Sequence, residues 1–119
     1  MELNTYHETE YYFMELSGDL DASSCIQLDK AIAIAVANDE KKILVDCKDL
    51  NYISSAGLGV FMSYLQEFET KQIALVLFDL NAKVRKVFQI LGLDELIKIV
   101  DSKEAAKANA NEQKPENRV

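Results

Sequence analysis

Apolar positions along this chain follow two periods in turn. Tyr11-Tyr12-Phe13-Met14-Glu15-Leu16 is rich in aromatic residues and predicts a strand. A short edge strand over residues 2–7 precedes it, and Ser17-Gly18-Asp19 ends it. After a polar step at residues 20–24, Cys25, Leu28, Ile32, Ala35 and Val36 recur at helical spacing. They predict an amphipathic helix to about Ala37, entered through one of several N-cap residues. Residues 38–41 form the turn after it. Ile43-Leu44-Val45 is short, continuous and mostly β-branched, the pattern of a strand buried on both faces. A polar loop leads from Asp46 to Ser54 and Ser55, and Leu58, Phe61, Met62, Leu65 and Phe68 mark the apolar stripe of a second helix.

Ile73-Ala74-Leu75-Val76-Leu77-Phe78 predicts a further buried strand. Asn81 is placed to cap a third helix with the stripe Val84, Val87, Phe88 and Leu91, and Gly92 stands where a C′ glycine belongs. Residues 97–100 predict a last strand, and Ser102 caps an Ala-rich helix over residues 103–110. Strands alternating with helices imply an α/β layer, with helices covering a mixed or partly parallel sheet. Two early strands with no helix between them imply an antiparallel edge. Right-handed crossovers then carry the Ser54/Ser55 turn to the end of the sheet where functional loops gather.

Composition narrows the function. The 119 residues suffice for one domain, and a hydrophobic fraction of 49% supports a core without metal or disulfide staples. A net charge of −7 and a pI near 4.7 repel phosphate backbones and anionic membrane surfaces, so no nucleic acid is expected as a partner. Cys25 and Cys47 lack CxxC spacing and are expected to be two buried, reduced thiols. His7 is the sole histidine, which leaves a zinc site or a catalytic triad almost nothing to draw on. No basic start followed by an apolar run opens the chain, and no apolar stretch approaches a membrane span. A cytoplasmic protein without membrane insertion, cofactor or metal is expected, and a monomer is the default.

The segment around Ser54 and Ser55 carries the chemistry. A serine between a strand and a helix sits where backbone N–H groups point outward and the helix dipole favours negative charge. Such a serine can act as an N-cap alone, or it can carry a phosphoryl group and present it to a partner. Gly57 and Gly59 each cost about 1 kcal/mol in a helix relative to alanine. They serve either close packing or an unobstructed surface for a partner. Nucleotide-binding glycine patterns are absent, and so is Gly-x-Ser-x-Gly. Asp21 caps the first helix or joins Ser55 at a common rim, where Asp46 and Asp49 could add to an acidic surface.

Tyr52-Ile53-Ser54-Ser55-Ala56-Gly57-Leu58-Gly59-Val60 resembles the signature of STAS domains, specifically the stand-alone bacterial anti-sigma factor antagonists. Gly18-Asp19-Leu20-Asp21 is similar to the family's earlier Gly-acidic-Leu-Asp motif. Ile43-Leu44-Val45-Asp46 is similar to the strand before its switch serine, and Val84-Arg85-Lys86-Val87-Phe88 through Gly92-Leu93 resembles its third helix. The resemblance spans about residues 1–105. It implies one STAS-like α/β domain over residues 1–110, a mixed sheet of four to five strands covered by about four helices. A disordered tail over residues 111–119 is expected beyond it.

The resemblance also implies a mechanism. The family pattern Asp-Ser-Ser/Thr/Ala-Gly-Leu-Gly puts the phosphoacceptor at Ser55, with Ser54 in place of the Asp and as the alternative acceptor. Asp21, Ser54, Ser55, Ala56, Gly57, Leu58 and Gly59 would form the partner surface. Unphosphorylated protein would bind an anti-sigma factor that is also a serine kinase, and so free a sigma factor. Phosphorylation from ATP would end the binding, and a PPM-type serine phosphatase dependent on Mn or Mg would reset it. The chain would then be a kinase substrate rather than an enzyme. Two other readings compete: a non-catalytic accessory subunit of a larger signalling or lipid-transport complex, and a nucleotide-binding domain.

Overall fold

A computed structural model describes residues 1–113. The elements are β1 (Glu2–Glu8), β2 (Tyr11–Leu20), α1 (Cys25–Ala37), β3 (Lys42–Ile53), α2 (Ser55–Lys71), β4 (Ala74–Phe78), α3 (Ala82–Ile90), a 3-10 turn (Leu93–Glu95), β5 (Lys98–Val100) and α4 (Lys103–Glu112). They build one sheet in the order β1-β2-β3-β4-β5. β1 is antiparallel to β2, and the three remaining pairs are parallel. The antiparallel edge follows from the tight β1–β2 connection, and each parallel pair is joined through a helix, as a parallel crossover requires.

Both faces of the sheet are covered. On one, Met14, Leu16, Ile43, Val45, Leu75 and Leu77 pack with Leu28 and Ile32 of α1, Phe61 and Phe68 of α2, and Val84 and Phe88 of α3. On the other, Tyr11, Phe13, Leu44, Val76 and Phe78 meet Ala106 and Ala110 of α4. The alanines let α4 lie close to the sheet, and charge anchors it there. Lys103 Nζ stands 4.6 Å from the centre of the Phe13 ring and donates to Glu8 Oε2 at 3.1 Å. The expected helix caps form: Asn81 Oδ1 accepts from Val84 N at 2.8 Å, and Ser102 Oγ from Ala105 N at 3.1 Å. Gly92 takes the left-handed φ of 72° that a C′ position demands.

Several expectations need correction. Ser17-Gly18-Asp19 does not end the second strand, which runs on to Leu20. The polar loop expected from Asp46 is strand as far as Ile53. Its register explains why it does not look like one. Glu15 pairs with Asp46 and Ser17 with Asp49, then Gly18 with Leu50 and Asp19 with Tyr52. Each step places one extra residue on β3, a bulge. Two bulges stretch the burial period from two to three, so Cys47, Leu50 and Ile53 are the inward positions. Alternation, the usual mark of a strand, is lost.

At the C-terminal end, α4 continues to Glu112, so Asn111 and Glu112 belong to it rather than to the expected tail. Gln113 caps that helix, and the rest of the expected tail, residues 114–119, lies outside the described residues. Cys25 is half-buried rather than buried, while Cys47 is enclosed, and neither is in a disulfide.

The length of β3 positions the site. β4 ends opposite Asp46, yet β3 runs seven residues further, paired there with β2 alone. The projecting ribbon is braced by Asn81 Nδ2, which donates to Leu50 O at 3.0 Å. Ser54 and Ser55 stand at its tip.

Candidate functional site at the tip of the β2–β3 ribbon

Ser54 joins the strand to the helix. Its N–H donates to Leu20 O at 2.9 Å, which ties the end of β3 to the end of β2. Its backbone is extended, with φ −89° and ψ 169°, and its Oγ accepts from Gly57 N at 3.1 Å. Leu58 N closes the first helical bond to Ser54 O at 3.0 Å. Ser54 is thus the N-cap of α2. Ser55 is the first helical residue, exposed, and its hydroxyl has no hydrogen-bond partner among the described residues. One serine of the pair is committed to structure and the other is free.

The two glycines have different work. A Cβ on Gly57 would stand 2.6 Å from Leu20 Cγ and 3.2 Å from Leu20 O, so the helix could seat itself against β2 only if Leu20 shifted. A Cβ on Gly59 would meet nothing within 4 Å. Gly57 therefore serves close packing, and Gly59 leaves an open backbone surface that the fold does not need. Leu58 is buried in the core and Ala56 is half-buried. Of the turn residues singled out in the sequence, Ser55 and Gly59 are the exposed ones.

Asp21 follows Leu20 and begins the neighbouring loop. Its Oδ1 accepts from Ser23 N at 3.1 Å, Ser23 Oγ at 2.8 Å, Ser24 N at 3.0 Å and Ser24 Oγ at 3.0 Å. The hydroxyl of Ser23, with the N–H and hydroxyl of Ser24, holds this carboxyl well below the usual range, at about 2. The carboxylate is thus spent on the turn that opens α1, and it adds a fixed negative charge at the rim.

Asp46 and Asp49 are not part of this rim. Asp46 lies roughly 20 Å back along β3 from Ser54, where its Oδ1 accepts from Lys48 N at 3.0 Å. With Glu15, Ser17 and Asn4 both line a small polar cleft of 80 Å³. The sequence missed two exposed apolar side chains, Tyr52 and Ile26, 49% and 61% exposed. Tyr52 stands one pair below Leu20 and Ile53 in the sheet, and Ile26 is the second residue of α1. Ile26 fell off the apolar stripe of its helix, which was the available signal.

His7 is opposite Tyr12, at the far end of the sheet, bonded to Glu40. A groove of 520 Å³ opens between Phe68, Leu75 and Leu96, also away from the tip, and Ser54 and Ser55 line neither cavity. No group of three or more His, Cys, Asp or Glu side chains is placed to hold a metal among the described residues. No helix among them is long and apolar enough to cross a membrane.

Comparison with known proteins places the fold in a family. The STAS domain family model matches residues 2–106. A Bordetella bronchiseptica protein, BtrV, named as a candidate anti-sigma factor antagonist, is 36% identical over 93 residues, 78% of this chain and 80% of that one. A solved candidate antagonist from Thermotoga maritima superposes with a TM-score of 0.85 at 20% identity, over 92% of this chain and 94% of its own. The phosphorylated form of the Bacillus cell-fate determinant SpoIIAA gives 0.68 at 23%, over 90% and 98%. At such identities the two structures speak to the fold alone.

Proposed function

This chain belongs to the STAS domain family, and from that premise we propose that it is a phosphorylation-controlled anti-sigma factor antagonist. The unphosphorylated form binds an anti-sigma factor that is also a serine kinase, and a sigma factor is released. The observation that carries the reading is the division between the two serines. Ser54 spends its hydroxyl on Gly57 N, whereas Ser55 presents an exposed, unbonded hydroxyl at the start of α2. A kinase can engage Ser55 without dismantling the helix.

The transfer is a simple exchange. The Ser55 oxygen forms a bond to the γ-phosphorus of ATP, the bond from that phosphorus to the ADP oxygen breaks, and the hydroxyl proton passes to a base on the kinase. The added group carries about −1.5 to −2 charges at pH 7. It stands at a helix N-terminus, which tolerates it, beside a rim already charged by Asp21. A partner fitted to a neutral hydroxyl and the bare backbone of Gly59 then meets bulk and charge together, and leaves. A PPM-type phosphatase resets the switch by attack of water, giving Ser55 and inorganic phosphate. The protein works in the cytoplasm as a monomer and as the substrate of these enzymes, with no catalysis of its own.

The test is retention of partner. Tagged Ser55→Ala and Ser55→Glu proteins are recovered from native cells in the presence of ATP. Ser55→Ala should retain a serine kinase that the wild type loses, and Ser55→Glu should not bind it. Equal recovery by both would defeat the reading.

A further inference from the structure

α1 is apolar on a face that the fold leaves bare. Ala31-Ile32-Ala33-Ile34-Ala35-Val36-Ala37 is an unbroken apolar run. Leu28, Ile32 and Ala35 are the residues that α1 gives to the core. Ile26 and Ile34 remain 61% and 56% exposed, and Ala33 and Ala37 are exposed with them. At 3.6 residues per turn these four positions fall on one stripe with Lys30, its single charge. A surface helix ordinarily turns a polar face outward, and past Lys30 the outer face of α1 carries no polar side chain.

The stripe starts at the Ser55 rim. Leu20 O accepts from Ser54 N, so the loops that open α1 and α2 adjoin. Further along, Tyr64 Oη of α2 donates to Asp29 Oδ1 of α1 at 2.8 Å, so the helices run side by side. Ile34 lies eight residues beyond Ile26, about 12 Å down the helix.

We propose that the anti-sigma factor covering Ser55 also covers the outer face of α1, with Ile26 and Ile34 as its apolar anchors. This rests on the reading of Ser55 given above. A stable complex buries about 800 Å² on each partner. One face of a helix about 20 Å long supplies on the order of 300 Å², and the turn at Ser55 alone is smaller still. The two surfaces adjoin where the loops that open α1 and α2 meet, and neither reaches the required area alone. The same figure sets aside a second copy of this chain as the occupant. α1 against α1 would bury a single helix face from each, while joining two molecules of charge −7. The interface thus has two parts: an apolar ridge that supplies affinity and a phosphate-sensitive tip that cancels it.

The test places the photocrosslinker p-benzoylphenylalanine at residue 52, 34 or 90 in native cells. At residue 52 it replaces an aromatic side chain, Tyr52, 49% exposed beside the tip, and Ile90, 71% exposed on α3, serves as the comparison. Residues 52 and 34 should capture the same kinase, residue 90 should not, and Ser55→Glu should abolish both captures. Ile34→Lys, a change on an exposed helix face, should keep the melting temperature while weakening the purified complex about tenfold or more. Capture from 52 but not from 34, or an unchanged affinity for Ile34→Lys, would overturn the ridge and leave the Ser55 reading standing. No kinase captured from 52, or capture indifferent to Ser55→Glu, would overturn both.

Discussion

Leu20 occupies the space where a side chain on residue 57 would stand, 2.6 Å from the position of its Cβ. The same leucine accepts the Ser54 N–H through its carbonyl oxygen. One residue of β2 therefore fixes both the cap and the first turn of α2, and so fixes where Ser55 points.

Gly57→Ala should destabilise the protein by about 1–3 kcal/mol, because Leu20 must shift to admit the methyl group. Gly59→Ala should stabilise it by about 0.5–1 kcal/mol, since an exposed helical glycine is exchanged for the best helix former. Urea unfolding of the two variants checks the opposite signs. Under the proposed function Gly59→Ala should nonetheless weaken the complex with the kinase.

Ser54→Ala removes the cap and should cost about 1 kcal/mol. Ser55→Ala should leave the thermal midpoint within about a degree or two, because the Ser55 hydroxyl holds nothing in the fold. Equal destabilisation by the two changes would contradict the division of labour between the serines.

Asp21 gives a pH signature. Its folded pKa is depressed to about 2 by the hydrogen bonds from Ser23 and Ser24. A depressed carboxyl contributes stability that is present above its unfolded value, near 4, and is lost as pH falls toward 2. Asp21→Asn should therefore lower stability at pH 7 and flatten the decline over that window, as read by urea midpoints from pH 7 to pH 2.

The thiols should separate kinetically. Burial pushes the Cys47 thiol far above its usual range, whereas Cys25 is half-exposed at the start of α1. Ellman's reagent should label Cys25 in the native protein and Cys47 only on unfolding. Two equally fast thiols would show that the β2–β3 ribbon opens readily.

The Ser54/Ser55 segment was legible because its chemistry is local. A strand, two hydroxyls and a helix stripe follow one another within a few residues, and cap preferences act over that range. The longer β3 was not legible, since its two bulges hide the alternation that marks a strand. The separate duties of Gly57 and Gly59 were not legible either, because the residue that tells them apart, Leu20, lies far away in sequence. Asp46 and Asp49 were misplaced for the same reason as the loop. Read as a loop they could fold back to the rim, and as strand they cannot. The bare face of α1 was visible as an apolar run, but only the position of α2 and the sheet says which side stays uncovered.

Under the proposed function Ser55 carries a regulated phosphoryl group. The direct measurement is peptide-mapped mass of the protein isolated from native cells, with phosphatases inhibited, in growing and stressed states. One phosphoryl group on Ser55, with an occupancy that changes between the states, is the predicted result. An unmodified Ser55 in every state would contradict the account and reduce that serine to the first residue of a helix.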